Sequence, residues 1–293
     1  MLPESFKQRR CRTSLAVLWL AGMVALSLLL AACGGGGSAN APKPDLITPG
    51  VLTVGSDTTY PPQEYIDAAT NKAAGFDVDL ISAIAQRMGL QAHIVTTGFD
   101  TILDDLAAKH FDVVISAVSI TPERQKQVDF VPYLTAGESL LVQKGNPKHI
   151  QSTDDLCGLS VGVQDGTLEQ GVLQSSSDNC LEQDKPAITI MALQDQTDVI
   201  QLLTQNRVAA TYQDSPVTDY YVQQHPDQFA VGGSVVFSGP EGIAVRKDNP
   251  GLQSAIQTAY NQVKASGAYH QLILKWGLTN EELTVVDRRV QAV

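Results

Sequence analysis

The sequence predicts an α/β protein built as two strand–helix units joined by two chain crossings. Short apolar runs of strand length alternate with longer segments whose apolar residues recur at helical spacing. The alternation breaks at Gly145-Asn146-Pro147 and then begins again. The chain of 293 residues, 43% of them hydrophobic, is long enough for two domains.

Residues 51–54 read as the first strand. Residues 56–62 follow as a loop, because Pro61 and Pro62 oppose regular structure. Asp57 and Tyr60 then lie just past the carboxyl end of a strand, the edge where open α/β sheets bind ligands. Residues 76–88 place Leu80, Ile81, Ile84, Ala85 and Met88 on one helical face, closed by Gly89. A strand at 93–96 and a helix at 99–109 complete the pattern of parallel β–α units.

Residues 111–133, FDVVISAVSITPERQKQVDFVPY, are the central stretch. Val113, Val114 and Ile115 form a buried strand. Ser116, Ala117 and Ser119 follow, small enough to let a ligand approach the backbone. Thr121-Pro122-Glu123-Arg124 then carries an N-cap, a first-position proline and a first-turn acid. A helix start and the Arg124 guanidinium converging there suit a small carboxylate. Taken alone, Arg124 fits an ordinary surface arginine equally well.

A strand at 139–142 leads to the break. The second unit reads as strand 160–163, helix 168–174, strand 188–191, helix 197–205, strand 208–212 and helix 215–224. Residues 235–237 and 242–245 are strands split by Ser238-Gly239-Pro240. Helical segments span about 252–276, and Gly277 closes the last. Gln164-Asp165-Gly166-Thr167 and Gln213-Asp214-Ser215-Pro216 each join a strand to a helix. Both are anion-friendly helix starts, and both also read as plain capped turns, with Asp214 a ready N-cap.

Residues 1–32 read as a signal segment. Lys7, Arg9, Arg10 and Arg12 precede an apolar run, and Leu30-Ala31-Ala32-Cys33 resembles a bacterial lipoprotein processing site. Cys33 would carry lipid and anchor the protein to the outer face of the cell membrane. Residues 33–49 form a flexible tether rich in Gly, Ser and Pro. Removing four bases and one acid from 20 and 31 leaves 16 and 30, a mature net charge of about −14. So acidic a surface argues against a nucleic-acid partner. Cys157 and Cys180 remain, and in an oxidising setting a disulfide is the default for such a pair.

Catalytic signals are weak. Gly158-Leu159-Ser160-Val161-Gly162 matches G-x-S-x-G, but Ser160 opens a strand where the nucleophile elbow needs a strand-to-helix turn. The five histidines are scattered without ligand spacing. No catalytic residue, metal site or cofactor is assigned.

The segments VGSDTTYPPQEY, GFDVDLISAIA, TGFDTILDDLAAKHFDVVISAVSITPERQKQVDFVPYL, VGVQDGT, ATYQDSP and GAYHQLILKWG resemble the polar amino-acid-binding proteins that feed ABC importers, the family-3 extracellular solute-binding proteins. They span nearly all of the mature chain in family order. The resemblance implies a periplasmic-binding-protein-like fold, each lobe a mostly parallel sheet flanked by helices. Lobe one would cover 50–138 plus 242–278 and lobe two 139–241, joined by two crossover strands, with a tail at 279–293. Arg124 would hold the ligand α-carboxylate, assisted by Ser119 and the Ala117 backbone, with Gly166 and Thr167 reaching it from lobe two. Asp214 would take the α-ammonium. Tyr60 and Phe99 would flank the ligand side chain, with Asp57 and Gln164 at its polar end. Two departures stand out. Ala117 replaces a hydroxyl found in some relatives, and Leu168 follows Thr167 where others have Thr or Gly.

The implied partners are an amino acid and an ABC importer permease, for a monomer. Among the pocket residues Asp57, Tyr60, Phe99, Gln164 and Glu169, the ionisable ones besides Tyr60 are acidic, and Arg124 is taken by the α-carboxylate. That ranks arginine or lysine first, glutamine second and acidic ligands last. A dehydratase-like enzyme on the same scaffold and a ligand-sensing module are the alternatives.

Overall fold

The computed structural model describes residues 44–283, all within one compact unit. The signal segment, Cys33 and most of the tether lie outside the described residues. Eleven strands are described: β1 Val51–Ser56, β2 Thr59–Tyr60, β3 Glu64–Asp67, β4 Lys72–Ala74, β5 Gln91–Thr96, β6 Val113–Val114, β7 Val128–Gln143, β8 Ser160–Gln164, β9 Thr189–Leu193, β10 Ala210–Asp214 and β11 Phe229–Arg246. The helices are α1 Phe76–Arg87, α2 Ile102–Ala107, α3 Arg124–Gln127, α4 Leu168–Glu182, α5 Gln196–Thr204, α6 Ser215–Gln224, α7 Pro250–Ala265 and α8 Ala268–Trp276.

Eight strands form one sheet in the order β5-β1-β6-β11-β7-β10-β8-β9. Strands β5, β1 and β6 are mutually parallel, as are β9, β8 and β10. Between these two parallel sets run β7 and β11, paired antiparallel along most of their length. The two long strands make the fold two-lobed. At one end Val131 and Tyr133 of β7 and Ile243 and Val245 of β11 join a core with Leu52, Val54, Leu80, Ile84, Ile256 and Ile273. At the other end Leu140 and Val142 pack with Val161, Val163, Leu173 and Tyr212. Leu141, one residue out of phase, packs on the opposite face with Ile200, Leu203 and Phe229. That is the two-residue period of a strand covered on both faces. Each fully buried Leu, Ile or Val contributes roughly 1.5–3 kcal/mol of transfer free energy.

Several expectations need correction. The loop expected at 56–62 contains β2, which pairs with β3 in a small three-stranded sheet. The strand expected at 139–142 is the end of β7, which begins at Val128 despite Pro132. The strands expected at 235–237 and 242–245 belong to one strand, β11, which runs through Ser238-Gly239-Pro240 with register shifts. Pro132 lies opposite Gly242, beside one of those shifts, where a lost ladder donor matters least. Mutual pairing overrides the local breakers.

Helix α4 runs eight residues beyond the expected end at 174. Its second half is polar and has little helical apolar pattern, but tertiary contacts hold it. The Ser177 hydroxyl accepts from the Ile188 N–H at 3.1 Å, and Cys180 is buried and disulfide-bonded to Cys157. Gly277, in the left-handed region, caps α8 as expected.

Candidate functional site

The site lies where the two lobes face each other across β7 and β11. Its cavity is lined by Tyr60, Phe99, Ala117, Ser119, Arg124, Gln164, Thr167 and Asp214, all assigned to the site from the sequence. Ser116, Leu168 and Glu169 complete it.

Arg124 opens α3. The capping expected at Thr121 is present: its hydroxyl accepts from the Arg124 N–H at 3.2 Å and its carbonyl from the Gln125 N–H at 2.9 Å. The guanidinium is fixed from three sides. It donates to the Ser119 carbonyl at 3.0 Å and to the Gly166 carbonyl at 3.3 Å, and lies 5.4 Å from the centre of the Phe99 ring. Burial lowers its pKa, while Glu169 and Asp214 favour its charge.

Asp214 ends β10 and is buried. Burial pushes its carboxyl well up, and Glu241 and Glu138 add to the rise. Tyr60 donates its hydroxyl to Asp214 Oδ2 at 2.9 Å and accepts the Asp214 N–H at 3.1 Å. Glu169, in the first turn of α4, is also buried, and burial followed by repulsion from Asp214 holds its carboxyl well above the usual range.

The remaining singled-out residues have narrower parts. Ala117 has φ of 47°, a left-handed conformation that costs a non-glycine residue about 1–3 kcal/mol. Its N–H donates to Asp77 at 3.1 Å, so it offers the cavity a wall rather than that donor. The Thr167 hydroxyl caps α4, accepting from the Gln170 N–H at 3.2 Å and donating to the Gln164 carbonyl at 2.8 Å. Two residues are not among those lining the cavity. Gly166 lies beside it, with its carbonyl on Arg124. Asp57 sits behind Gln164, whose amide donates to it, and also accepts from the Thr59 hydroxyl at 2.9 Å. Burial pushes the Asp57 carboxyl up to about 6.

Sequence reading missed the acids behind the wall. Ser116 accepts from the Asp57 N–H and donates to Glu64, both at 2.9 Å. Asp77 accepts from the Tyr133 hydroxyl at 2.6 Å, and Glu241 accepts from the Gln63 amide at 2.6 Å. Glu64, Asp77 and Glu241 are all buried, and burial raises all three. The available signal was their setting, since Asp77 sits between core residues in GFDVDL. Among the described residues, no group of three or more His, Cys, Asp or Glu is disposed to hold a metal ion. The lining therefore holds one cation, Arg124, against Glu169 and Asp214. That suits a ligand with a carboxylate at one end of its polar head and a cation at the other.

The sequence and the fold are both similar to those of known proteins. The family model for bacterial extracellular solute-binding proteins, family 3, matches residues 52–279. The L-cystine-binding protein TcyJ of Escherichia coli is 32% identical over 78% of this chain and 82% of its own length. An ancestral arginine-binding protein, solved with arginine and with glutamine bound, superposes with a TM-score of 0.72 at 35% identity, covering 78% of this chain and 98% of that one. The ancestral amino acid-binding protein AncCDT-1, a precursor of cyclohexadienyl dehydratase, superposes with a TM-score of 0.70 at 33% identity, covering 78% and 95%.

Proposed function

The chain belongs to family 3 of the bacterial extracellular solute-binding proteins, and we propose that it binds a polar amino acid outside the cytoplasm and delivers it to an ABC importer. One observation carries the reading: Arg124 and Asp214, 90 positions apart in the chain, line one cavity between the lobes. Arg124 holds the α-carboxylate, Ser119 lies beside it, and Asp214 holds the α-ammonium. Tyr60 and Phe99 flank the side chain, and Gln164 reads its polar end with Asp57 behind it. Lobe one is 50–138 plus 242–278 and lobe two 139–241. The protein works as a monomer, held to the membrane by lipid on Cys33, and contacts a permease.

The excess of acid over base in the cavity ranks ligands. A second ligand carboxylate would be desolvated without a counter-charge. A guanidinium or ammonium side chain gains from Tyr60, Phe99 and the nearby acids. Arginine or lysine ranks first, glutamine second, and aspartate and glutamate last. A relative solved with arginine and with glutamine bound supports the inclusion of both. A thermal-shift panel of the standard amino acids tests it, and glutamate as the strongest stabiliser would reverse it.

A second reading rests on Glu169. A buried carboxyl held well above its usual range, in one cavity with Arg124, is the kind of group a dehydratase on this scaffold needs as a general acid. Prephenate and arogenate, added to the same panel with a product assay, separate the readings. Binding without turnover leaves the transport reading.

A further inference from the structure

We propose that Glu169 shares the ligand's α-ammonium with Asp214, and that the ammonium enters in exchange for a proton held between these two carboxyls, so that binding releases a proton. The inference rests on the amino-acid reading above and adds a binding residue to it.

Both carboxyls line the cavity, with exposures of 3% for Glu169 and 4% for Asp214. Asp214 is the last residue of β10. Glu169 is in the first turn of α4, which follows β8, the strand parallel to β10. The pair is thus built within one half of the sheet. Repulsion from Asp214 raises the Glu169 carboxyl. Two carboxyls that share one buried site resist ionising together, so the pair retains a proton.

The surroundings supply no alternative to that proton. Tyr60 of β2 donates one hydroxyl to Asp214. Glu138 of β7 accepts the hydroxyl of Tyr212 from β10 and adds negative charge near both acids. Glu241 of β11 adds more. Arg124 of α3 is the single cation lining the cavity among the described residues, and a ligand carboxylate claims it. Burial holds both carboxyls protonated to higher pH than usual.

An ammonium has three donors and no acceptor, so it can bond both carboxylates only after the shared proton has left. Glu169–COOH, Asp214–COO⁻ and R–NH₃⁺ become two carboxylates bridged by R–NH₃⁺, and one H⁺ passes to the solvent. No covalent bond of the ligand changes. The sign follows. Ligand selects the deprotonated pair, so affinity is level above the pair's pKa and falls up to about tenfold per pH unit below it.

The test is calorimetric titration of arginine and of glutamine from pH 5 to 8, each in two buffers of different ionisation enthalpy. The expected result is release of about one proton per ligand for both amino acids, where the empty pair is protonated. Glu169→Gln keeps a donor on Asp214 that cannot leave, so it should bind more weakly, release no proton and show a flat profile. Tight binding by wild type with no proton release overturns the inference and leaves the amino-acid reading intact. Proton release that persists in Glu169→Gln overturns it too. Failure of every standard amino acid to bind rejects the amino-acid reading and this inference with it.

Discussion

Tyr60 and Asp214, 154 residues apart in the chain, hold each other by two hydrogen bonds. The Tyr60 hydroxyl donates to the carboxylate at 2.9 Å and accepts the Asp214 N–H at 3.1 Å. The contact joins the residues next to β1 to the end of β10. It closes the cavity and orients the acid assigned to the ligand ammonium. Tyr60→Phe removes both bonds while keeping the ring. A hydrogen bond to a charged group contributes about 1.5–3 kcal/mol, so ligand affinity should fall about ten- to a hundredfold. Calorimetry measures it, and unchanged affinity would show that Asp214 needs no such positioning.

Arg124→Ala should cost about 2–5 kcal/mol of binding, because it strands the ligand carboxylate in a buried site. Arg124→Lys should recover little, since a lysine lacks the planar fork that reaches the Ser119 and Gly166 carbonyls together. Near wild-type affinity in the Ala variant would remove Arg124 from the site.

Gly166 has φ of 76°, and a Cβ there would lie 2.7 Å from the Asp100 Cα. Gly166→Ala should therefore hold this loop away from the opposite lobe and weaken ligand binding at least tenfold, which is about 1.4 kcal/mol. Small-angle scattering at saturating ligand should show a less compact particle than wild type. Equal compaction and equal affinity would mean that this approach is not part of closure.

The Cys157–Cys180 bond closes a separation of 23 residues. In the chain-entropy picture a loop of this length stabilises the fold by about 3 kcal/mol. The double Cys157→Ser, Cys180→Ser variant should melt several degrees lower, with ligand affinity little changed because neither residue lines the cavity. Calorimetric melting of both proteins checks this, and an unchanged melting temperature would refute the stabilisation.

The buried acids behind the wall predict a pH dependence of stability. Asp77 is pushed up to about 6, and Glu64 and Glu241 are raised as well. A carboxyl raised in the fold binds its proton more tightly there than in the unfolded chain. Its contribution is therefore favourable at low pH and is lost as pH rises from the usual carboxylate range near 4 through the raised value, about 6 for Asp77. Melting of the ligand-free protein should show a component of stability that declines over that window. Glu64→Gln can still accept from Ser116 and should flatten the decline. A melting temperature that rises steadily from pH 4 to 7 in both proteins, with the same slope, would contradict the assignment.

The sequence by itself determined the fold class, the order of most elements and the two ends of the cavity. Those features are local. Val113 and Val114 make a buried strand wherever they stand, Thr121 caps the turn that presents Arg124, and Asp214 follows a buried strand and starts a helix. Tertiary structure decided the rest. Residues 128–143 and 229–246 are unbroken strands only because each completes the other's ladder across Pro132 and Pro240. Helix α4 keeps its polar second half because Cys180 and Ser177 are tied to distant partners. The family resemblance put Asp57 at the ligand's polar end, yet its carboxylate meets Gln164, 107 positions away, outside the cavity lining. Glu169 was a candidate pocket acid from the sequence, and the fold buried it in the same cavity as Asp214. A side chain's chemistry is written in the sequence, but its partners and its distance from water are set by residues far along the chain, and those two quantities fix its charge.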